Sequence, residues 1–408
     1  MTTQATLETD DRPQGDYPVW DVDPYDEAVL ADPYDYYAAL RARGPVVWIA
    51  RYGCWAMGRY AEVHPTFGDH QRFCSSRGVG LSDFAREKPW RPRSIVLEVD
   101  PPEHTRTRAV ITRALSPRAV TALRDRFAAE AEALVDGLLE RGTFDAVADF
   151  AEPFPLKVFP DAVGIGPEDR RNLIVYGMMA FNAMGPDNRL RRDSLAHAAT
   201  VVPWIAAMCQ RDRLAPGGFG DVIYQAADDG TLSLDEAALL VRSLLSAGID
   251  TTVTGLGNAL WCFASNPDQW ALLRDDPSLA RAAFEEVLRF TSPVHTFCRT
   301  TVADVEVGGI RLGAGRKVMC VLGSANRDPA KWPDADRFDI RRDTRGHLGF
   351  GTGVHGCVGQ AVAKLEAEVM FNVLARKVGR IALAGQPRWR PGNALHALDS
   401  LPVRFVPG

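Results

Sequence analysis

Residues 350–359 read FGTGVHGCVG, and the stretch that follows, QAVAKLEAEVMFNVLARKV (360–378), repeats apolar positions at helical spacing. Glycine fills four of the nine positions 351–359, against roughly 0.6 at average usage. Such density lets a backbone turn tightly and approach a neighbouring group closely. Cys357 is therefore expected in a tight loop at a helix N-terminus, where unpaired N–H groups and the helix dipole favour a thiolate. By residue type alone this thiol is a nucleophile, a metal ligand or an inert buried group. A nucleophile needs a base, and no sequence neighbour supplies one. A zinc site would need a ligand beyond His347, His355 and Cys357.

Outward from this loop the chain reads as mainly α with a small β-rich part. Ser233 and Glu236 have the spacing of a capping box. Apolar residues then continue for about 30 residues to Ser265-Asn266-Pro267, beyond the usual length of a globular helix. The run is apolar on most sides and is expected to cross the core. Gly248-Ile249-Asp250-Thr251-Thr252 in its middle is poor helix material, which marks a kink or a functional site. Residues 32–43 predict a short helix ended by Gly44-Pro45, and residues 46–57 a hairpin about Gly53. Residues 74–95, rich in Gly, Arg, Ser and Pro, predict a long loop. Residues 102–273 read as helices punctuated by Pro and Gly, 278–291 as a further helix, and 300–322 as strands turning at Gly308-Gly309. Residues 1–18 form a polar leader in this reading, and 19–408 a single domain.

The composition excludes several functions. Among 408 residues, 47 Lys+Arg stand against 52 Asp+Glu, a net charge of −5. A nucleic-acid binder would carry a basic face. Seven cysteines without a close pair read as reduced thiols rather than a disulfide framework. No run approaches the 18 or so apolar residues that span a bilayer, and the N-terminus has no signal-peptide pattern. The expectation is a cytoplasmic enzyme that binds neither nucleic acid nor membrane.

The pattern F-x-x-G-x-x-x-C-x-G at 350–359 resembles the cysteine-ligand loop of the cytochromes P-450, the haem-thiolate monooxygenases, and the resemblance extends over nearly the whole chain. It implies the cytochrome P-450 fold as a single haem-binding unit, with haem b as cofactor and Cys357 as the axial iron ligand, its thiolate favouring O–O cleavage. Glu286-Val287-Leu288-Arg289 resembles the family's E-x-x-R, a structural pair joined by a later arginine, matched here to Arg337. His104, Arg108, Arg299 and His355 match the haem-propionate partners, donors suited to two carboxylates. Asp250 and Thr251 match the acid–alcohol pair that delivers protons during oxygen activation. A mid-helix threonine otherwise bonds its own i−4 carbonyl.

The stretches RPRSIVLEVDPPEHTRTR, FNAMGPDN, VRSLLSAGIDTTVTGLGNAL and SPVHTFCRTT together resemble the bacterial P-450s that O-demethylate 4-methoxybenzoate and related para-substituted benzoates. That resemblance implies a carboxylate held by Arg91, Ser94 and Ser243 with Arg242 nearby. It implies a ring packed on Leu97, Phe181, Ser246, Ala247 and Phe297, with Met184 standing where the group carries a second aromatic. Arg and hydroxyl donors suit a benzoate, and Phe181 and Phe297 suit a ring. The implied reaction inserts one oxygen atom of O2 and yields 4-hydroxybenzoate and formaldehyde. With no flavin segment after Cys357, electrons are expected from a separate iron–sulfur ferredoxin and its NAD(P)H-dependent reductase, docking on a basic patch for which Lys364 and Arg113 are candidates. Two other readings are a P-450 acting on a terpene or macrolide, and a non-catalytic haem sensor, which would need no acid–alcohol pair.

Overall fold

The apolar run after Ser233 folds as two helices, Leu234–Gly248 and Asp250–Ser265, with Ile249 between them at φ −104° and ψ −67°. The computed structural model in which this is seen describes Pro13 and residues 15–408. The start follows the capping box: the Glu236 N–H donates to Ser233 Oγ at 3.1 Å and the Ser233 N–H to Glu236 Oε2 at 2.8 Å. The break has two local causes. Thr251 and Thr252 hydroxyls donate to the carbonyls of Ala247 (2.7 Å) and Gly248 (3.3 Å), which bends a helix. At Gly248 a Cβ would lie 2.4 Å from the Phe159 ring, so glycine alone permits this packing. Beyond the break the pattern works as expected, for Leu256, Leu260 and Phe263 are fully buried in the main core with Leu240 and Leu245.

Helices Pro153–Val163, Arg171–Asn182, Ala280–Thr291 and Gln360–Lys377 surround this central pair. A six-stranded sheet lies to one side, in the order Val19–Trp20, Val47–Ile49, Cys54–Met57, Lys317–Val321, Thr296–Thr301 and Phe73–Cys74. Its apolar faces bury two smaller cores, around Trp55 and Leu312 and around Tyr37 and Met319. The hairpin at Gly308-Gly309 forms as read, with both glycines at positive φ (57° and 78°), the geometry of a type I′ turn. Between Cys74 and Glu103 no helix or strand forms. This loop is nonetheless pinned: the Leu81 N–H donates to Met184 O (2.8 Å), the Cys298 N–H to Val79 O (2.7 Å), and Lys317 Nζ to the carbonyls of Arg77 and Gly78 (2.8 Å each).

Of the expected 1–18 leader, residues 1–12 and 14 lie outside the described residues. Its last residues are docked: Tyr17 packs edge-on to Trp55 with ring centroids 4.9 Å apart, and Pro18 O accepts the Trp48 N–H at 2.8 Å. All seven cysteines are free. Among the described residues no helix is long and apolar enough to cross a membrane.

Candidate active site

Glycine conformation builds the loop around Cys357. Gly351 and Gly353 both sit at φ 69°, and a Cβ on Gly353 would lie 2.7 Å from Gly68 O. The Cys357 N–H donates to Phe350 O at 2.7 Å, closing the loop just before helix Gln360–Lys377. Burial raises the thiol pKa; the N–H groups of Gly359 and Gln360 and the charges of Arg108 and Lys364 pull it down but do not prevail. The expected lowering by the helix terminus is thus present, and desolvation exceeds it.

Cys357 opens on a cavity that runs from its own loop to the central helix and the 74–95 loop. Thr251 and the break in the central helix form one wall, Arg108, Arg299 and His355 one end, and Arg91, Ser94 and Ser243 another part of the lining. At the first end, Arg299 is 1% exposed, and neither Arg299 nor Arg108 has a carboxylate partner among the described residues. Arg108 donates to Gly356 O (2.6 Å) and Arg299 to Cys298 O (2.9 Å), with Arg299 also lying over the Phe67 ring. The rings of His104 and His355 stand 4.4 Å apart, and the Nε2 atoms of both are buried without a hydrogen-bond partner. Burial pushes His104 down to about 4 and lowers His355, whose neighbour Asp100 partly restores it. Two guanidiniums without a carboxylate partner, a His355 Nε2 held only loosely by Asp100 Oδ1 at 3.7 Å, and behind it the unpartnered Nε2 of His104 fit a group carrying two carboxylates. With a thiol on the same cavity, this donor set fits haem.

Elsewhere on the lining, Ser94 Oγ and Ser243 Oγ lie 3.2 Å apart, joining the 74–95 loop to the central helix. Leu97, Phe181, Met184, Ser246, Ala247 and Phe297 line the same cavity. Arg242 does not: it turns away and donates to Pro92 O (2.8 Å) and Arg93 O (3.2 Å) beneath the loop. Arg91 reaches the cavity but is already held by Glu98, Nη1 to Oε2 at 3.0 Å. Glu98 went unnoticed in the sequence reading, its one signal being a lone carboxylate among the apolar residues 95–99.

Asp250 and Thr251 point to different sides. Thr251 lines the cavity, its hydroxyl on the Ala247 carbonyl. Asp250 is buried behind the helix, both carboxyl oxygens lack a hydrogen-bond partner, and the nearest cation is Arg390 at 3.9 Å. A Cβ on Gly177 would lie 2.9 Å from the Asp250 Cβ, so the neighbouring helix presents no side chain there. Burial pushes Asp250 up to about 6, partly offset by Arg390. Glu366 also escaped the sequence reading although it interrupts the apolar face of its helix. It lines the cavity with neither carboxyl oxygen partnered, and burial raises it well above the carboxylate range.

The E-x-x-R pair forms with both side chains 0% exposed, Arg289 Nε to Glu286 Oε2 at 2.7 Å and Nη2 to Oε1 at 2.8 Å. The expected third member, Arg337, is corrected to Arg342, whose Nε donates to Glu286 Oε1 at 3.2 Å. Arg337 offers only its carbonyl, accepting from Arg289 and Arg342, because the chain turns its side chain to solvent. Lys364 and Arg113 are not free cations either: Lys364 pairs with Glu285 at 2.5 Å and Arg113 with Asp229 at 3.6 Å.

Comparisons with known proteins show the family. A family model for cytochrome P450 matches residues 274–377. Over 387 residues, 95% of this chain and 94% of the relative, the sequence is 54% identical to cytochrome P450 CYP199A2 of Rhodopseudomonas palustris. Among solved structures, CYP109Q5 from Chondromyces apiculatus superposes with a TM-score of 0.79 at 35% identity, covering 95% of this chain and 99% of that one. Cytochrome P450 CREJ, solved in complex with (4-ethylphenyl) dihydrogen phosphate, gives 0.85 at 28% identity over 94% and 99%. A thiol in a glycine loop, a donor set that fits two carboxylates and a relative matched over nearly its whole length thus converge, and the chain belongs to the cytochrome P450 family of haem-thiolate monooxygenases.

Proposed function

We propose that this monooxygenase oxidises para-substituted benzoates, and that its reaction is the O-demethylation of 4-methoxybenzoate to 4-hydroxybenzoate and formaldehyde. The observation that carries the proposal is the Ser94–Ser243 hydroxyl pair, 3.2 Å apart on the same cavity as the apolar side chains of Leu97, Phe181 and Phe297, with Arg91 also in the lining. Two hydroxyls and a cation match a carboxylate once the Ser243 hydroxyl, which here donates to Leu239 O at 2.9 Å, turns to the ligand. Phe181 and Phe297 supply ring-sized apolar walls. CREJ, similar in fold, holds an aromatic anion with a para alkyl group, which supports the same polarity here. A terpene or macrolide would leave the donors unused.

In this reading Cys357 holds the haem iron, and His104, Arg108, Arg299 and His355 hold the propionates. The bound haem supplies oxygen activation. One atom of O2 enters a C–H bond of the methoxy methyl group and the other leaves as water, consuming two electrons and two protons. The resulting hemiacetal releases formaldehyde. Anchoring the carboxylate at Ser94 and Ser243 directs the para substituent toward Cys357 and the Thr251 wall. Thr251 presents its hydroxyl at the cavity wall, and Asp250, able to hold or release a proton near neutral pH with a pKa pushed up to about 6, would have to turn from its side of the helix break to resupply it. Electrons come from a separate ferredoxin and its NAD(P)H-dependent reductase.

The test is product analysis of the haem-loaded enzyme with a ferredoxin and reductase. The proposal expects 4-hydroxybenzoate and formaldehyde in equal amounts, dependent on O2 and reductant. Oxygen consumption with no 4-hydroxybenzoate would contradict the substrate assignment, and no turnover with any small aromatic would favour a sensor.

A further inference from the structure

Glu98 accepts every polar contact made to it as a carboxylate would. Arg91 Nη1 donates to its Oε2 at 3.0 Å, Arg91 Nη2 to its Oε1 at 3.4 Å, and the Ser94 N–H to its Oε2 at 2.6 Å. The side chains of Arg91 and Glu98 are 11% and 7% exposed, so water screens the pair little. Behind them stands a second guanidinium, Arg242, which meets only the carbonyl oxygens of Pro92 and Arg93. Arg91 and Glu98 both act on it electrostatically, and arginine stays protonated in a protein interior. The other titratable groups facing this cluster are neutral: burial raises Tyr176, and Cys209 is pushed up to about 12. Two guanidiniums against one carboxylate leave the cluster a single uncompensated positive charge, held by Arg242 behind the loop that carries Ser94.

We infer that Glu98 sets the charge of the ligand. By cancelling one of the two arginines it tunes the pocket to an aromatic monoanion, and discriminates against neutral isosteres on one side and dianions on the other. Buried charge is costly unless balanced, so the ligand that makes the cluster neutral is favoured. Glu98 is a positioning residue: it acts through Arg91 and the Ser94 N–H and does not touch the ligand. This inference rests on the benzoate reading above and adds to it the rule by which the pocket chooses among para-substituted aromatics of similar shape.

The experiment measures dissociation constants by isothermal titration calorimetry on the haem-loaded protein at pH 8. The three ligands are 4-methoxybenzoate, 4-methoxybenzamide and 4-methoxyphenyl phosphate, carrying one, zero and two negative charges. Wild type is expected to bind the monoanion tightest. Glu98→Gln keeps an acceptor oxygen for Arg91 and Ser94 but leaves two net charges. It is expected to shift the phosphate-to-benzoate affinity ratio at least tenfold toward phosphate. Glu98→Asp restores the charge and should return the wild-type ratio, an outcome that loss of packing alone would not produce. Arg242→Met removes the excess charge and should cut the preference for benzoate over benzamide at least tenfold. A Glu98→Gln ratio within twofold of wild type, with wild type still preferring benzoate, overturns the role of Glu98 and leaves the benzoate reading standing. Wild type with no preference for benzoate over benzamide overturns both.

Discussion

At residue scale, Asp250 has a measurable signature. Its carboxyl is buried without a hydrogen-bond partner, and its pKa lies at about 6 in the fold against 3.8 when solvated. A raised carboxyl pKa means that the folded state resists ionisation. The cost is absent below about pH 4, grows as pH rises through about 6, and levels off above it at about 3 kcal/mol. Asp250→Asn cannot ionise. Urea unfolding of wild type and variant from pH 4.5 to 8 should therefore show the variant gaining relative stability with rising pH, and a difference independent of pH would contradict the assignment. The sequence exposed Asp250 and Thr251 as a pair, because Gly, Asp and Thr violate helix preference within an apolar run. It could not expose Glu98 or Arg390, whose meaning depends on which side chain the fold brings opposite them.

Elements are held in place by glycines that no side chain could replace. At Gly80 a Cβ would lie 2.5 Å from both the Cα and the O of Met184, and the next residue donates its N–H to that same oxygen. This contact seats the 74–95 loop, with Arg91 and Ser94, on the end of helix Arg171–Asn182. Gly80→Ala must push the backbones apart. It should weaken 4-methoxybenzoate binding at least tenfold and speed proteolytic cleavage within residues 76–93, as limited trypsin digestion would show. At Gly248 the obstacle is the Phe159 ring, so Gly248→Ala overpacks the central break and should cost about 1–3 kcal/mol in thermal unfolding. The helix, loop and hairpin boundaries were legible from periodicity and punctuation. That the central run is two helices was legible only as a weak spot, since the Phe159 contact is made by a residue 89 positions earlier.

The fully buried Glu286–Arg289 pair ties separate regions of the whole molecule together. Arg289 donates to the carbonyls of Asn326, Ala335 and Arg337, while Arg342 reaches Glu286 and the carbonyls of Pro333 and Asp334. One charged cluster therefore fixes the irregular chain 326–342 against helix Ala280–Thr291, and beyond it the segment leading to Cys357. Arg342→Met should destabilise the protein by about 1–3 kcal/mol, the worth of hydrogen bonds to a buried charge, whereas Arg337→Met should stay within about 0.5 kcal/mol, as for an exposed side chain. The reverse order in chemical unfolding would contradict the triad drawn here. Choosing between these two arginines lay beyond the sequence, because both lie close by in the same irregular stretch and only the turn at 337–342 decides which side chain faces inward. The family itself was legible from ten residues, through the resemblance of F-x-x-G-x-x-x-C-x-G at 350–359 to the cysteine-ligand loop of the cytochromes P-450.

The central claim is that the cavity recognises a carboxylate at the Ser94–Ser243 pair and presents the opposite end of the ligand to the haem. The most direct measurement is a Soret titration of the ferric haem-loaded protein with 4-methoxybenzoate and, in parallel, 4-methoxybenzamide. The account predicts a saturable low-to-high-spin shift with the benzoate and at least tenfold weaker binding of the amide, with Ser243→Ala reducing the difference. A haem spectrum unchanged by the benzoate, or an equal response to acid and amide, would contradict it.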